Sequence, residues 1–265
     1  MECELVFLTF ADLMTFVVVV AIGVPLVYAV SKLLKLHSQP IDIAEKRKEA
    51  TSSLIVFAVV FIIAFAILAV YAYVWVRQNL EEDMIYVLRD VIWTAAILVP
   101  VAGVLKRNRQ SLGSIGMSRK SLGKNLAFGF IVSLLFVAIL SLLAPSLGGS
   151  FAGFSLPMSL SLISLIIVGV VEELIFRGYI QTRLVAYRGA VVGVAVSTLL
   201  FALFNFPLGY FCYSGDVLAA FLYAMWRLST GIVLGYMYHR SQNILPSSIF
   251  HTLIVWGALL WKLYF

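Results

Sequence analysis

Runs of about 20 apolar residues recur along this 265-residue chain. At ~1.5 Å rise per residue, each is long enough for an α-helix to cross ~30 Å of hydrocarbon. Backbone N–H and C=O groups cannot stay open in lipid, so such runs must be helices or the strands of a closed barrel. A barrel would show short segments of alternating polarity, whereas stretches such as "SLIVFAVVFIIAFAILAVYAYVWV" are continuously apolar. The composition agrees: 62% of residues are hydrophobic and 12% charged, with a mean hydropathy of +1.03. The chain is therefore predicted to be an all-α, polytopic membrane protein with about eight transmembrane helices, near 5–30, 54–76, 84–105, 125–145, 157–177, 190–206, 217–238 and 244–264. An ordinary soluble domain is excluded.

The first run, Leu5 to Val30, is too long for a signal-peptide core. It follows Glu2 and Glu4 rather than basic residues and has no small-residue cleavage site, so it reads as a retained span. The basic residues orient the whole. With the N-terminus outside, the inner segments hold Lys32, Lys35, Lys46, Arg47, Lys48, Lys106, Arg107, Arg109, Arg119, Lys120, Lys124, Arg177, Arg183, Arg188 and Arg240, which is 15 of the 19 Lys plus Arg. That imbalance fits the positive-inside rule and an even number of spans with both termini outside, in a cell membrane. The +6 net charge sits in loops between spans and gives no surface for nucleic acid. The inner segment "SKLLKLHSQPIDIAEKRKEATSS" reads as a solvated connector, "KRNRQSLGSIGMSRKSLGKN" as a loop resting on anionic head groups, and the outer "PSLGGSFAGFSLP" as a flexible link. Cys3 and Cys212 lie far apart without metal-ligand spacing. There is no internal repeat, dinucleotide fingerprint, phosphate loop or HExxH motif.

Ionisable residues inside a membrane are expensive and read as functional. Here they are Glu172, Glu173, Arg177, Arg227 and His251. On a helix, Glu173 and Arg177 share a face, with the acid on the N-terminal side, the better order for an ion pair. Glu172 is turned by roughly 100° from Glu173 and is left for other work. A carboxylate held by Arg beside a free one suits a base that activates water. A hairpin turning near Arg188–Gly189 puts Asn205 at the depth of Glu172. A second, turning near Arg240, puts Arg227 and His251 at like depth, roughly 18 Å along each helix from the turn. A polar layer of Glu172, Asn205, Arg227 and His251 follows. Each has another reading: Asn205, before Phe206–Pro207, ends its helix; Arg227 snorkels or neutralises Glu173; His251 is a satisfied core residue.

These residues resemble a known family. "EELIFR" (Glu172, Glu173, Arg177) is similar to the EExxxR motif of the CPBP family, the CAAX prenyl proteases of type II and bacteriocin-processing (Abi) proteins. "FALFN" (Phe201 to Asn205) falls where that family has FxxxH, and "PSSIFHTLIV" where it has HxxxN. The resemblance covers roughly residues 112–262. It implies an eight-helix intramembrane protease with a cavity open to the cytosol and the lipid. The first glutamate and a histidine would activate water, and the last motif would hold the oxyanion. Two positions depart from the pattern: Asn205 stands for the motif-two His, and Val255 for the motif-three Asn. Asn cannot take up a proton from water at neutral pH, and Val offers no hydrogen bond.

Two readings follow. In the first, residues 1–111 are N-terminal helices and loops, and 112–265 form a protease core. The core hydrolyses a hydrophobic or lipidated peptide without metal or other cofactor, through catalytic residues Glu172, Glu173, Arg177, Asn205 and His251. One His in the layer is too few for a zinc site of the usual kind. In the second, the same fold binds a membrane partner without turnover, as a scaffold or immunity-type protein. His251 within one-water reach of Glu172 favours the first, and Glu172 locked onto Arg227 the second. A transporter, the third possibility, would be expected to show repeats and paired broken helices, which the sequence lacks.

Overall fold

The computed structural model describes residues 10–36, 40–78, 82–147 and 149–262. The helices are α1 (Phe10–Leu33), α2 (Lys46–Gln78), α3 (Glu82–Arg107), α4 (Leu122–Leu143), α5 (Leu156–Glu173), α6 (Thr182–Arg188), α7 (Ala190–Cys212), α8 (Val217–Ser241) and α9 (Ile244–Leu260). A π-helical stretch, Leu174–Gln181, joins α5 to α6, so among the described residues the nine segments form eight rods, one at each expected span. Six of these rods are long and apolar enough to cross a membrane: those containing Thr15–Leu33, Lys46–Tyr73, Leu122–Ser146, Met158–Arg188, Ala190–Cys212 and Val217–Ser241. Helix α9 is apolar but shorter. The chain is an all-α, multi-pass integral membrane protein. Its outer faces carry exposed Ile62, Val99, Leu142 and Val191, as a lipid-facing surface requires.

The turns lie where the chain can make them. Gly189, at φ 82°, breaks the rod between α6 and α7, a conformation that costs glycine least. Gly193 then lets the rods close, because a Cβ there would lie 2.5 Å from the backbone nitrogen of Val185. Gln242, at φ 49°, turns α8 into α9. Asn243 caps α9 by accepting from the Leu245 N–H at 2.9 Å. Both hairpins therefore turn near the expected residues.

Three expectations need correcting. The fifth rod does not stop near 177 but runs on to Arg188. Arg183, expected in an inner loop, is fully buried. It pairs with Glu49 at 3.5 Å, donates to the Ser114 carbonyl at 2.9 Å and the Gln110 side chain at 2.7 Å, and lies over the Tyr179 ring at 4.2 Å. It also donates to the carbonyls of Gly178 and Tyr179 within the π-helical stretch, whose wider turns disturb the regular backbone ladder. Second, the first inner segment is not simply a solvated connector, because Glu49 is buried there, holding Arg183 and accepting from Asn108 at 3.1 Å. Third, the loop expected on head groups keeps its basic residues exposed but is anchored at its centre against the helices. Ile115 is buried, the Gly116 carbonyl accepts from the Ile244 N–H at 3.2 Å, and the Ser118 carbonyl accepts from Asn243 at 2.7 Å.

This loop meets the π-helical stretch at Gly178, where a Cβ would lie 2.5 Å from the Ile115 carbonyl oxygen. Backbone, not a flexible side chain, would have to move. Gly178→Ala is expected to destabilise the protein by about 1–3 kcal/mol, the usual cost of overpacking, read as a lower Tm in a fixed detergent. An unchanged Tm would mean that the loop is not seated there.

Candidate active site

The π-helical stretch begins one residue after the paired glutamates, so the site is built at the junction of α5 with an irregular turn. Such turns recur at functional sites. Glu173 and Arg177 are both fully buried, and Glu173 Oε1 lies 3.3 Å from Arg177 Nη1, the pair expected from their spacing. Arg177 Nη2 also donates to the Gly231 carbonyl at 3.4 Å. Its guanidinium stacks over the Phe201 ring at 4.3 Å. A buried charge needs such multiple satisfaction.

His251 reaches across from α9 between the two acids. Its Nδ1 is 3.3 Å from Glu173 Oε1, and its Nε2 is 3.7 Å from Glu172 Oε2. The Nδ1 contact sets the tautomer: with N–H donated to Glu173, a neutral imidazole presents the Nε2 lone pair toward Glu172. The 3.7 Å gap exceeds a direct hydrogen bond, but one water can touch both groups. The Phe201 ring packs edge-on against the imidazole at 5.8 Å. Ser247, one turn before His251, interacts with Glu173. Glu172 and His251 are buried, at 3% exposure each, so their charges and dipoles act in a medium of low dielectric.

The four residues Glu172, Glu173, Arg177 and His251 are thus brought together. Asn205 is buried on α7, but it donates its amide to the Phe201 carbonyl one turn back, at 2.9 Å. Among the described residues it makes no hydrogen bond to Glu172 or His251. It does not end its helix, which continues through Pro207 to Cys212. Arg227 neutralises neither acid by direct pairing: among the described residues its nitrogens make no ion pair with Glu172 or Glu173, although its charge acts on Glu172 from a distance. Thr252 is spent on the Leu165 carbonyl at 3.3 Å, and Val255 packs against the apolar core.

Sequence reasoning passed over Gly231 and Gly235. Their spacing, "GIVLG", is a GxxxG pattern that lets helices approach closely. In this fold it exposes two α8 carbonyls to the neighbouring rods. Gly231 accepts from Arg177 and, at 3.2 Å, from Thr198; Gly235 accepts from Gln181 at 2.8 Å. A Cβ on Gly231 would meet Thr198 at 2.9 Å and Phe201 at 3.2 Å. Among the described residues no group of three or more His, Cys, Asp or Glu gathers in a way that would hold a metal.

Comparison with known proteins fits this geometry. Residues 153–257 match the family model described as type II CAAX prenyl endopeptidase Rce1-like, a span that includes the glutamate pair, Arg177, Asn205 and His251. A search of curated proteins gives no match. Over the segment that builds this buried cluster, the chain is therefore similar to the CPBP/CAAX-protease family.

Proposed function

We propose that the protein is an intramembrane endopeptidase, hydrolysing a peptide bond of a hydrophobic or lipidated membrane peptide with water activated by Glu172. The observation that carries this reading is His251, held by Glu173 at Nδ1 and facing Glu172 with Nε2. A carboxylate that fixes the imidazole tautomer, with the other ring nitrogen toward the reacting group, is the orienting arrangement of hydrolytic triads. It supplies the base that Asn205 cannot. Glu172 and Nε2 share a water, take its proton as it attacks the carbonyl, and return that proton to the leaving amine. Glu173 and Arg177 hold the imidazole in place, and Asn205, anchored to its own helix, lines the layer. Residues 112–265 form the catalytic core, framed by the helices before residue 112. In the orientation set by the basic residues, both termini lie outside and the site opens toward the cytosol.

The test is cleavage of a library of membrane-spanning and prenylated peptides by the purified protein in proteoliposomes, with products identified by mass. His251→Ala is expected to lower turnover by about 10²–10⁴-fold, the range for loss of a general base. If the wild type cleaves nothing while Asn205→His with Val255→Asn gains cleavage, the chain is a binding scaffold on a protease frame and not an endopeptidase.

A further inference from the structure

The cluster leaves one requirement of peptide hydrolysis unmet. As water adds to the carbonyl, negative charge grows on the carbonyl oxygen, and donors aimed at that oxygen commonly make the largest single contribution to catalysis. His251 is held by Glu173 at Nδ1, and its Nε2, facing Glu172 at 3.7 Å, serves in the reading above as a base for water and not as a donor. Thr252 is bonded to Leu165, and Val255 has no donor.

Helix α8 carries a group that fits. Arg177 meets the Gly231 carbonyl, and Gln181 meets that of Gly235. Four residues forward on one rod match four forward on the other, so the α5–α6 rod and α8 run parallel and in register. One turn back from Gly231 is Arg227; one turn back from Arg177 is Glu173. Arg227 therefore stands level with the glutamates. It is buried, at 7% exposure, and its Nε and Nη1 have no hydrogen-bond partner among the described residues. Tyr223 and Trp226 flank its guanidinium, with ring centroids 5.5 Å and 5.4 Å away. A buried guanidinium with two open N–H groups is costly, and it stands at the depth of the glutamates. The two opposite charges act on one another, yet among the described residues they form no ion pair.

We infer that Arg227 is a catalytic residue of this chain, donating through Nε and Nη1 to the oxyanion of the tetrahedral intermediate. The inference rests on the endopeptidase reading above. The water oxygen bonds to the carbonyl carbon, and the water's proton passes to Glu172 and His251. The π electrons of the C=O bond move onto oxygen, opposite Arg227. Collapse re-forms the C=O bond and breaks C–N, and the stored proton leaves with the amine. No other reactant is needed.

The experiment compares wild type, Arg227→Gln and Arg227→Lys in proteoliposomes, with a cleaved peptide and with its phosphonate analogue, a stable tetrahedral anion. Arg227→Gln is expected to lose about 10²–10³-fold in kcat with KM changed by no more than about threefold. It should lose phosphonate affinity by a similar factor while binding the matching amide as wild type does. Arg227→Lys, which keeps the charge but not the planar fork, should recover part of both and shows that the site is still folded. Wild-type kcat in Arg227→Gln overturns the inference, as does equal phosphonate binding by wild type and Arg227→Gln. A rise in KM alone, confined to peptides with a free C-terminal carboxylate, also overturns it, since Arg227 would then anchor the substrate. If the wild type cleaves no peptide, the endopeptidase reading fails, and the phosphonate comparison still decides whether Arg227 receives a tetrahedral anion.

Discussion

Glu172→Gln is expected to lower peptide cleavage by about 10²–10⁴-fold, the contribution of a positioned general base, while leaving the fold in place. The substitution keeps the size and shape of the side chain and removes only its ability to take a proton. The structure allows the two effects to be separated. Glu172 Oε2 has no hydrogen-bond partner among the described residues, and His251 Nε2 lies 3.7 Å away. The fold thus draws little from this carboxylate. Turnover should fall while the Tm in the same detergent stays within a few degrees. A variant that keeps wild-type turnover would remove Glu172 from the chemistry; one that unfolds would make it structural.

Glu173→Ala has the opposite signature. Glu173 is the shared partner of Arg177 and His251, at 3.3 Å from each, and Arg177 is wholly buried. Removing the acid strands a guanidinium left, among the described residues, with the 3.4 Å hydrogen bond to the Gly231 carbonyl. Breaking a buried pair in this way costs about 3–5 kcal/mol. Much of that cost is the unpaired charge, so Glu173→Leu combined with Arg177→Met should be less damaging than Glu173→Ala alone, a non-additivity that a double-mutant cycle measures. Equal stability of Glu173→Ala and wild type would mean that the pair does not hold this junction together.

The Glu173–Arg177 pair was legible in the sequence because both ends lie on one helix, where spacing fixes direction. The eight rods among the described residues, and the turns near Gly189 and Gln242, were legible because hydrophobic length and glycine placement are local properties. The depth of His251 followed from counting residues back from a turn. Which faces meet did not follow, since helix rotation is set by packing between rods. Hence the double contact of His251, and the separation of Arg227 from Glu172, emerge only in three dimensions. The π-helical stretch was hidden for a related reason. It lies beside a segment distant in sequence, with the Ile115 carbonyl seated against Gly178, and Arg183 donates to its Gly178 and Tyr179 carbonyls. Arg183 itself looked like a loop cation because its partner Glu49 lies more than a hundred residues away. The GxxxG at Gly231 and Gly235 was in plain view, but its meaning depended on which rod would use the carbonyls it exposes.

Hydrolysis by this cluster requires that water be added across a peptide bond within the membrane, with Glu172 as the base. The most direct measurement is cleavage of a membrane-spanning peptide by the wild-type protein in proteoliposomes made with oxygen-18 water, run beside Glu172→Gln. The expected wild-type product has a new carboxyl group carrying one heavy oxygen, at a cut within the apolar segment, and Glu172→Gln is expected to give none above background. Heavy-oxygen product formed equally fast by Glu172→Gln, or no product from the wild type across the library, would contradict that mechanism.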